Sequence, residues 1–406
     1  MLGLSRRSLL AAGLLVATSL VLIAQSLDFS QHKGYLTSPA KGSNQNRASS
    51  QENRVVIPNI VHYVYMFKEG VTDFNFKFRD FLTVHAASIH WNPDVIYLHT
   101  NAPDDAIERA RNGETGKWNK LMFHTKAFKV NKVKDPKVAG NGDEIKKMEH
   151  KSDFVRLDAV REFGGVYLDF DAHPVRDIKY LRESGFKSIF GRQYGGRINN
   201  GVFMGVPESK LLTYWHGEMN RVFATKGWAQ HGNGVLTRIC PRFQGHEPGE
   251  VLILEHPALN RGSWRRNDLN RLLEVHDEER SNLLKAGSDT EEIEDGDPLP
   301  DHLETMADKW DHPDKFPKWA TDWSSSFVLH AFYSSRNRQK PKGYHGIDPR
   351  YILDRRSNFA RAMYPVVKDM WDRGMVSLSD TESGKPPAKK PKPAKKEEAN
   401  DKDDKP

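Results

Sequence analysis

One stretch, His150 to Asp171, constrains this chain more than any other. Its first half has helical spacing, with Phe154, Leu157, Val160 and Phe163 on neighbouring faces, and Gly164-Gly165 supplies the stop. Val166-Tyr167-Leu168 then reads as a short apolar strand with Asp169 and Asp171 at its end. Residues two apart on an extended segment point the same way, so both carboxylates face one site. Such a pair suits a hard divalent cation that keeps open positions for a diphosphate. A lone Asp-x-Asp is otherwise a solvated turn; with the strand and the Gly-Gly hinge before it, turn and site both stay open. Asp153 and Arg156, three apart on the helix, are either a local ion pair of about half a kcal/mol or a pair that reads sugar hydroxyls.

The surrounding pattern alternates strand and helix. Val55 to Tyr65 is a β-branched and aromatic run that reads as a buried strand, a helix is expected near 75–90, a second strand over Asp94–Thr100, and a helix from Pro103 to about Arg111. That order predicts an α/β sheet with parallel strands. Its domain is expected to run over 55–376, with an acid-rich surface insertion at 274–304.

The ends differ in composition. Residues 1–8, with Arg6 and Arg7, precede an uncharged segment from Leu9 to Ala24. We expect 1–8 to be cytoplasmic and 9–24 to be a retained signal anchor, a single-pass type II arrangement with the rest of the chain lumenal. Residues 25–54 read as a polar stem and 377–406 as a disordered Lys/Pro tail. These ends also carry most of the net charge of +7, leaving 55–376 near balance. No basic footprint for a polyanion remains, so nucleic acid is not an expected partner. The single cysteine, Cys240, excludes a disulfide within the chain.

Taken together, Ile57-Pro58-Asn59-Ile60-Val61-His62-Tyr63-Val64-Tyr65, Ser152-Asp153-Phe154-Val155-Arg156 and Gly164 to Asp171 resemble glycosyltransferase family 32, whose sugar-binding region contains an Asp-x-Asp motif. The phrasing is closest to fungal members. The resemblance implies a GT-A type α/β fold and a retaining transferase, placed in the Golgi or endoplasmic reticulum membrane, that uses a nucleotide sugar with Mn2+ or Mg2+. It also implies roles by position. Val61, His62 and Tyr65 would meet the nucleotide, with Tyr65 standing where many members stack a Trp on the base; Asp153 and Arg156 would hold the donor sugar. Asp169 would be the first carboxylate, Asp171 the direct metal ligand, and His330, after Trp323–Leu329, the late histidine that completes the metal site. Asn199, Asn200 and Gly201 resemble the segment that returns to the donor sugar, although Asn-Gly is equally a hairpin-turn signal. Gly232–Thr237 sits where many relatives have Thr-Gly-Pro before a helix.

The resemblance prefers GDP-mannose over a UDP-sugar as donor, and a glycan or glycolipid as acceptor. Two other classes compete. Leu168-Asp169-Phe170-Asp171 also resembles the opening of haloacid-dehalogenase-type phosphatases, although His173 replaces their usual Thr or Val. A non-catalytic sugar-nucleotide-binding protein would keep the same fold without turnover.

Overall fold

A computed structural model describes residues 54–225, 230–276, 318–333 and 340–384. The expected anchor, the stem, most of the acidic insertion and residues 385–406 lie outside the described residues. Among those described, no helix is long and apolar enough to cross a membrane.

The main sheet has seven strands in the order β3-β2-β1-β4-β7-β6-β8. They are β1 (Ile60–Val64), β2 (Val95–Thr100), β3 (Phe128–Lys132), β4 (Gly165–Leu168), β6 (Ser188–Arg192), β7 (Ile198–Gly205) and β8 (Val251–Leu254). A separate two-stranded ribbon pairs β5 (Ala172–Pro174) with β9 (Val328–His330). Strands β1 to β4 are parallel where they pair, as expected. The sheet as a whole is mixed, because β7 runs antiparallel to both β4 and β6.

The helices used below are α1 (Phe78–Trp91), α2 (Asp104–Asn112), α3 (Lys117–Phe123), α4 (Met148–Phe163), α5 (Lys210–Val222), α6 (Val235–His246) and α7 (Asn358–Asp372). One apolar cluster packs α1, α3 and α7 around Phe81, Trp118 and Phe359, and a second packs α4 to α6 around Phe203, Trp215 and Leu236.

Local chemistry accounts for most element ends. Helix α4 stops at Gly164, whose φ of +64° and bond from its N–H to the Val160 carbonyl close the last turn. Gly165, at φ +107°, leaves only 2.4 Å between an added Cβ and the Ile60 carbonyl, so β4 can lie against β1 only with glycine there. The opening strand is shorter than the apolar run implies. Pro58 has no N–H to give a ladder, and Ile57 pairs instead with Arg182 through its own N–H. At the other end, residues 377–384 depart from the expected tail. Glu382 and Thr381 accept through their carbonyls from the Phe78 N–H and the Trp118 indole, and Lys117 pairs with Asp380 at 2.5 Å. The folded part therefore continues to Gly384.

Inside the sheet, a chain of hydrogen bonds crosses three strands. Asn131 on β3 donates to His99 Nδ1 at 3.0 Å, His99 Nε2 donates to His62 Nδ1 at 2.9 Å, and His62 Nε2 donates to the Gly164 carbonyl at 2.7 Å. Each ring must be neutral for this sequence of donors and acceptors to hold. Burial pushes His62 down to about 4, against a smaller upward pull from Gly164, and burial with His62 beside it pushes His99 down to about 3.

The unfolded chain takes up protons at these rings below about pH 6.5 while the folded chain does not, so their contribution is complete above that pH and falls as pH drops toward 4. His99→Gln keeps an acceptor for Asn131 and a donor for His62 but cannot titrate. We expect the wild type to lose about 1.4 kcal/mol more stability than this variant between pH 7.5 and 5.5, read from urea midpoints. Equal losses would show that His99 is charged in the fold.

Candidate active site

Two clusters meet at the ends of β4 and β7. The first is the group Asp169, Asp171 and His330, whose ligating atoms all lie within 4.8 Å of one another. The carboxylates do not converge by strand alternation. Strand β4 ends at Leu168, and the Ala172 N–H returns to the Asp169 carbonyl at 3.0 Å, so a tight turn brings Asp169 and Asp171 to one side. Ribbon β5–β9 then supplies His330, held where the Ala331 N–H reaches the Asp171 carbonyl at 2.8 Å.

The donor set fits a divalent cation. His330 Nδ1 donates to Asn260 Oδ1 at 3.1 Å, which leaves the lone pair of Nε2 facing Asp171 Oδ1 at 3.1 Å. A lone pair and a carboxylate at that distance repel unless a proton or a metal lies between them. An outer hydrogen bond fixing the tautomer of a histidine beside two carboxylates is the usual arrangement of a metal ligand. Burial raises Asp169, with Arg156 opposing and the Asp171 charge adding to the rise. Burial acts on Asp171 too, but His330 outweighs it and holds that carboxyl below its ordinary range.

The second cluster surrounds Arg156 on α4. Its guanidinium donates to the Asn200 carbonyl at 3.0 Å, lies 3.2 Å from Asp169 and 3.4 Å from Asp153, and rests 4.6 Å above the Tyr167 ring. The Tyr167 hydroxyl donates to Asp169 at 2.6 Å. Asp153 accepts from the Asn200 amide and from His231, each at 2.9 Å. Burial works to raise Asp153, yet Arg156 and His231 hold it below the usual carboxylate range.

Asn199 and Asn200 lie within β7, not in a hairpin turn; the turn is at 193–197, where Gly195 and Gly196 supply positive φ. Asn199 donates to Gln193 at 2.6 Å and accepts from the Gly201 N–H at 2.6 Å. Gly201 is fixed by space. A Cβ there would lie 2.5 Å from Asp169 Oδ2 and 2.8 Å from the His330 ring.

The structure brings Asp153, Arg156, Asp169, Asp171, Asn199, Asn200 and His330 together. It does not bring Val61 or His62 with them. Val61 is enclosed in the apolar core, and both ring nitrogens of His62 are spent inside the sheet. Neither side chain can touch a nucleotide. Tyr65 is half-buried among Phe67, Phe74, Phe76 and Phe170, with centroids 4.8 to 6.4 Å away.

Several residues of the site escape sequence reading. His231, in a π-helical turn over Gln230–Gly234, Asn233, Gln193 and Asn260 all hold site residues by hydrogen bonds. The signal for the turn was present in Gly232-Asn233-Gly234, because a Cβ on Gly232 would meet the Asn200 amide at 2.6 Å. Beside the site, a cavity of about 980 Å³ includes Phe67, Asn101, Asp135, Lys147 and Lys151 in its lining, beyond the C-terminal ends of β1 to β3.

Residues 93–188, which contain Asp153, Arg156 and both carboxylates, match the family model described as a glycosyltransferase sugar-binding region containing a DXD motif. Those residues are similar to that sugar-binding region, over about a quarter of the chain. It is also 25% identical over 233 residues to glucan organizing enzyme 1 of Cryptococcus neoformans var. grubii, covering 55% of this chain and 59% of that protein. The chain thus spans about three fifths of the length of that curated relative.

Among solved structures, GlyE, a glycosyltransferase of Streptococcus pneumoniae, overlaps 79% of this chain and 64% of its own, with 10% identity and a TM-score of 0.37. Mouse xyloside xylosyltransferase 1 overlaps 50% and 86%, with 12% identity and a TM-score of 0.31. The mixed α/β sheet, with its Asp-x-Asp just after the end of β4, fits the GT-A type fold expected from the sequence.

Because Gly201 sets the spacing between β7 and the carboxylates, Gly201→Ala should weaken Mn2+ binding at least tenfold by calorimetry. Overpacking should lower stability by about 1–3 kcal/mol. Unchanged affinity for Mn2+ in a folded variant would show that the glycine does not govern the site.

Proposed function

We propose that this protein is a metal-dependent retaining glycosyltransferase that moves a sugar from a nucleotide donor to a glycan or glycolipid. One observation carries the reading: Arg156 joins an Asp-Asp-His group to a cluster of buried hydrogen-bonding side chains that suits a polyol. Asp169, Asp171 and His330 would hold Mn2+ or Mg2+. Such an ion supplies positive charge against the departing nucleoside diphosphate.

The chain's own residues do the rest. Asp153 accepts from hydroxyls of the donor sugar, Asn199 and Asn200 line its other side, and Arg156 keeps Asp153 and Asp169 ionised side by side. His231 is a positioning residue, since its bond to Asp153 fixes the carboxylate for the sugar. The cavity beyond β1 to β3 would take the nucleoside, at the carboxyl ends of strands, and Tyr65 packs against Phe67 of its lining. In a retaining reaction the acceptor hydroxyl approaches the face that the leaving group vacates, so both must fit one side of the sugar.

Mannose from GDP-mannose is the preferred donor on the resemblance, with UDP-sugars as the alternative. The anchored, lumenal placement in Golgi or endoplasmic reticulum rests on the run Leu9–Ala24. The phosphatase reading finds less support. Asp169, which would be its nucleophile, is engaged by Arg156 and by the Tyr167 hydroxyl.

Calorimetry of the full chain with GDP and with UDP, each with and without Mn2+, should show Mn2+-dependent binding of one of them. Asp171→Ala should abolish that dependence and leave the thermal midpoint nearly unchanged, because its side chain is partly exposed and outside the apolar core. Binding of neither nucleotide would defeat the transferase reading.

His231→Ala should weaken binding of the intact nucleotide sugar about tenfold while the free nucleoside diphosphate binds as before. Equal weakening of both would place His231 outside the sugar subsite.

A further inference from the structure

The triad has two flanks. On one, Asp169 is tied to Arg156 and the buried donor-sugar cluster. The other flank, beyond His330, is aromatic and partly exposed. Phe332 stacks flat on the His330 ring, with centroids 3.8 Å apart and an interplanar angle of 12°. It does so from a left-handed backbone, φ +48°, which a phenylalanine adopts only where the surrounding contacts impose it.

Trp264 meets Phe332 edge-on at 5.7 Å, yet is 46% exposed, the one exposed tryptophan among the described residues. Next to it, the Arg265 guanidinium lies 4.4 Å above the Tyr194 ring and donates to its hydroxyl at 2.5 Å; Tyr194 is 38% exposed.

These side chains come from three separate segments, and one residue links all three. Asn260 accepts from His330 Nδ1 and donates to the Arg192 carbonyl at 3.3 Å. It thereby pins the loop that carries Trp264 and Arg265 to β9 and to the start of the 193–197 turn that carries Tyr194. Close packing fixes the loop further, for a Cβ on Gly262 would lie 2.2 Å from the His330 carbonyl. The ledge is therefore built into the same framework that sets the metal ligand. Aromatic rings and a guanidinium left in water at the rim of a site, and held rigid there, offer binding area at little ordering cost.

We propose that Trp264, Tyr194, Phe332 and Arg265 form the acceptor subsite, a ledge that takes a neutral saccharide. This inference rests on the transferase reading for its location. The donor sugar occupies the Arg156 flank, so an acceptor hydroxyl that reaches the same carbon enters across the opposite flank of the triad. The chemistry matches a pyranose. Its axial C–H groups present an apolar face to an aromatic ring, and its equatorial hydroxyls accept from a guanidinium fork at the rim. A phosphate-bearing acceptor would want converging free cations. Here Arg265 lies against the Tyr194 ring and hydroxyl, which leaves its remaining N–H groups to donate to neutral hydroxyls.

Saturation-transfer NMR on the full chain, in a detergent without a sugar headgroup, tests the ledge with mannotetraose and laminaritetraose as probes. At least one tetrasaccharide should receive saturation through its ring C–H protons. Trp264→Ala and Tyr194→Ala should each weaken it tenfold or more, and Trp264→Phe should restore most of the loss. Mn2+-dependent nucleotide binding, measured beside it, should be the same in all three variants.

The proposal is overturned if neither tetrasaccharide binds, if binding persists unchanged in Trp264→Ala and Tyr194→Ala, or if saccharide and nucleotide binding fall together. If the wild type binds a tetrasaccharide through the ledge but no nucleotide with Mn2+, the transferase reading fails and the saccharide ledge stands.

Discussion

A buried guanidinium organises the centre of this protein. Arg156 is only 6% exposed, and a cation so placed persists only where carboxylates and carbonyls surround it. Here they come from three elements: Asp153 one turn earlier on the same helix, Asp169 from the end of β4, and the Asn200 carbonyl from β7. Removing either carboxylate would leave the charge short of partners, and removing the arginine would set two carboxylates against each other. The helix, the parallel half of the sheet and its antiparallel half are locked at this point. One buried cation thus fixes the spacing between the Asp169 carboxylate and the Asp153 cluster.

Close backbone approach is the second requirement. Strand β7 runs antiparallel to β4, so Gly201 passes directly over Asp169 and His330, and the π-helical turn with Gly232 presses on Asn200. Larger residues at these points would push apart the groups that Arg156 draws together. The glycines are thus part of the electrostatic design, since they let ligand-bearing segments come nearer than side chains allow.

The parts of the site that were legible in the sequence are those whose signal is local. Helix, Gly-Gly stop, strand and Asp-x-Asp follow one another within 22 residues from His150, and each is read from periodicity or a backbone rule. The geometry that brings Asp169 and Asp171 together is not legible in the same way, because alternation in a strand and a tight turn leave the same two letters. Asn200-Gly201 shows the reverse. Asn-Gly favours a turn in isolation, but the buried apolar residues after it, Val202, Phe203 and Met204, carry the pair into a central strand where Asn199 and Asn200 find partners. The resemblance puts His62 at the nucleotide, but burial between β2 and β4 turns its side chain into the sheet. His231 was invisible for another reason: its value lies in a bond to Asp153, 78 positions away, and no spacing rule reaches across that distance.

The same long-range logic explains why the late histidine is dependable. His330 sits on a ribbon apart from the main sheet, and strand pairing with β5 sets its height while Asn260 sets its ring. Because β5 begins directly after Asp171, the ribbon is a lever fixed to the carboxylates: any shift of β9 along β5 moves the imidazole relative to Asp171 by a full pleat. Register in a two-stranded ribbon is weakly specified by itself. The bonds from Ala331 to Asp171 and from His330 N–H to the Arg261 carbonyl supply the missing specification, and the second of these belongs to the loop that carries Trp264. His330 and the exposed ledge therefore share one mechanical support.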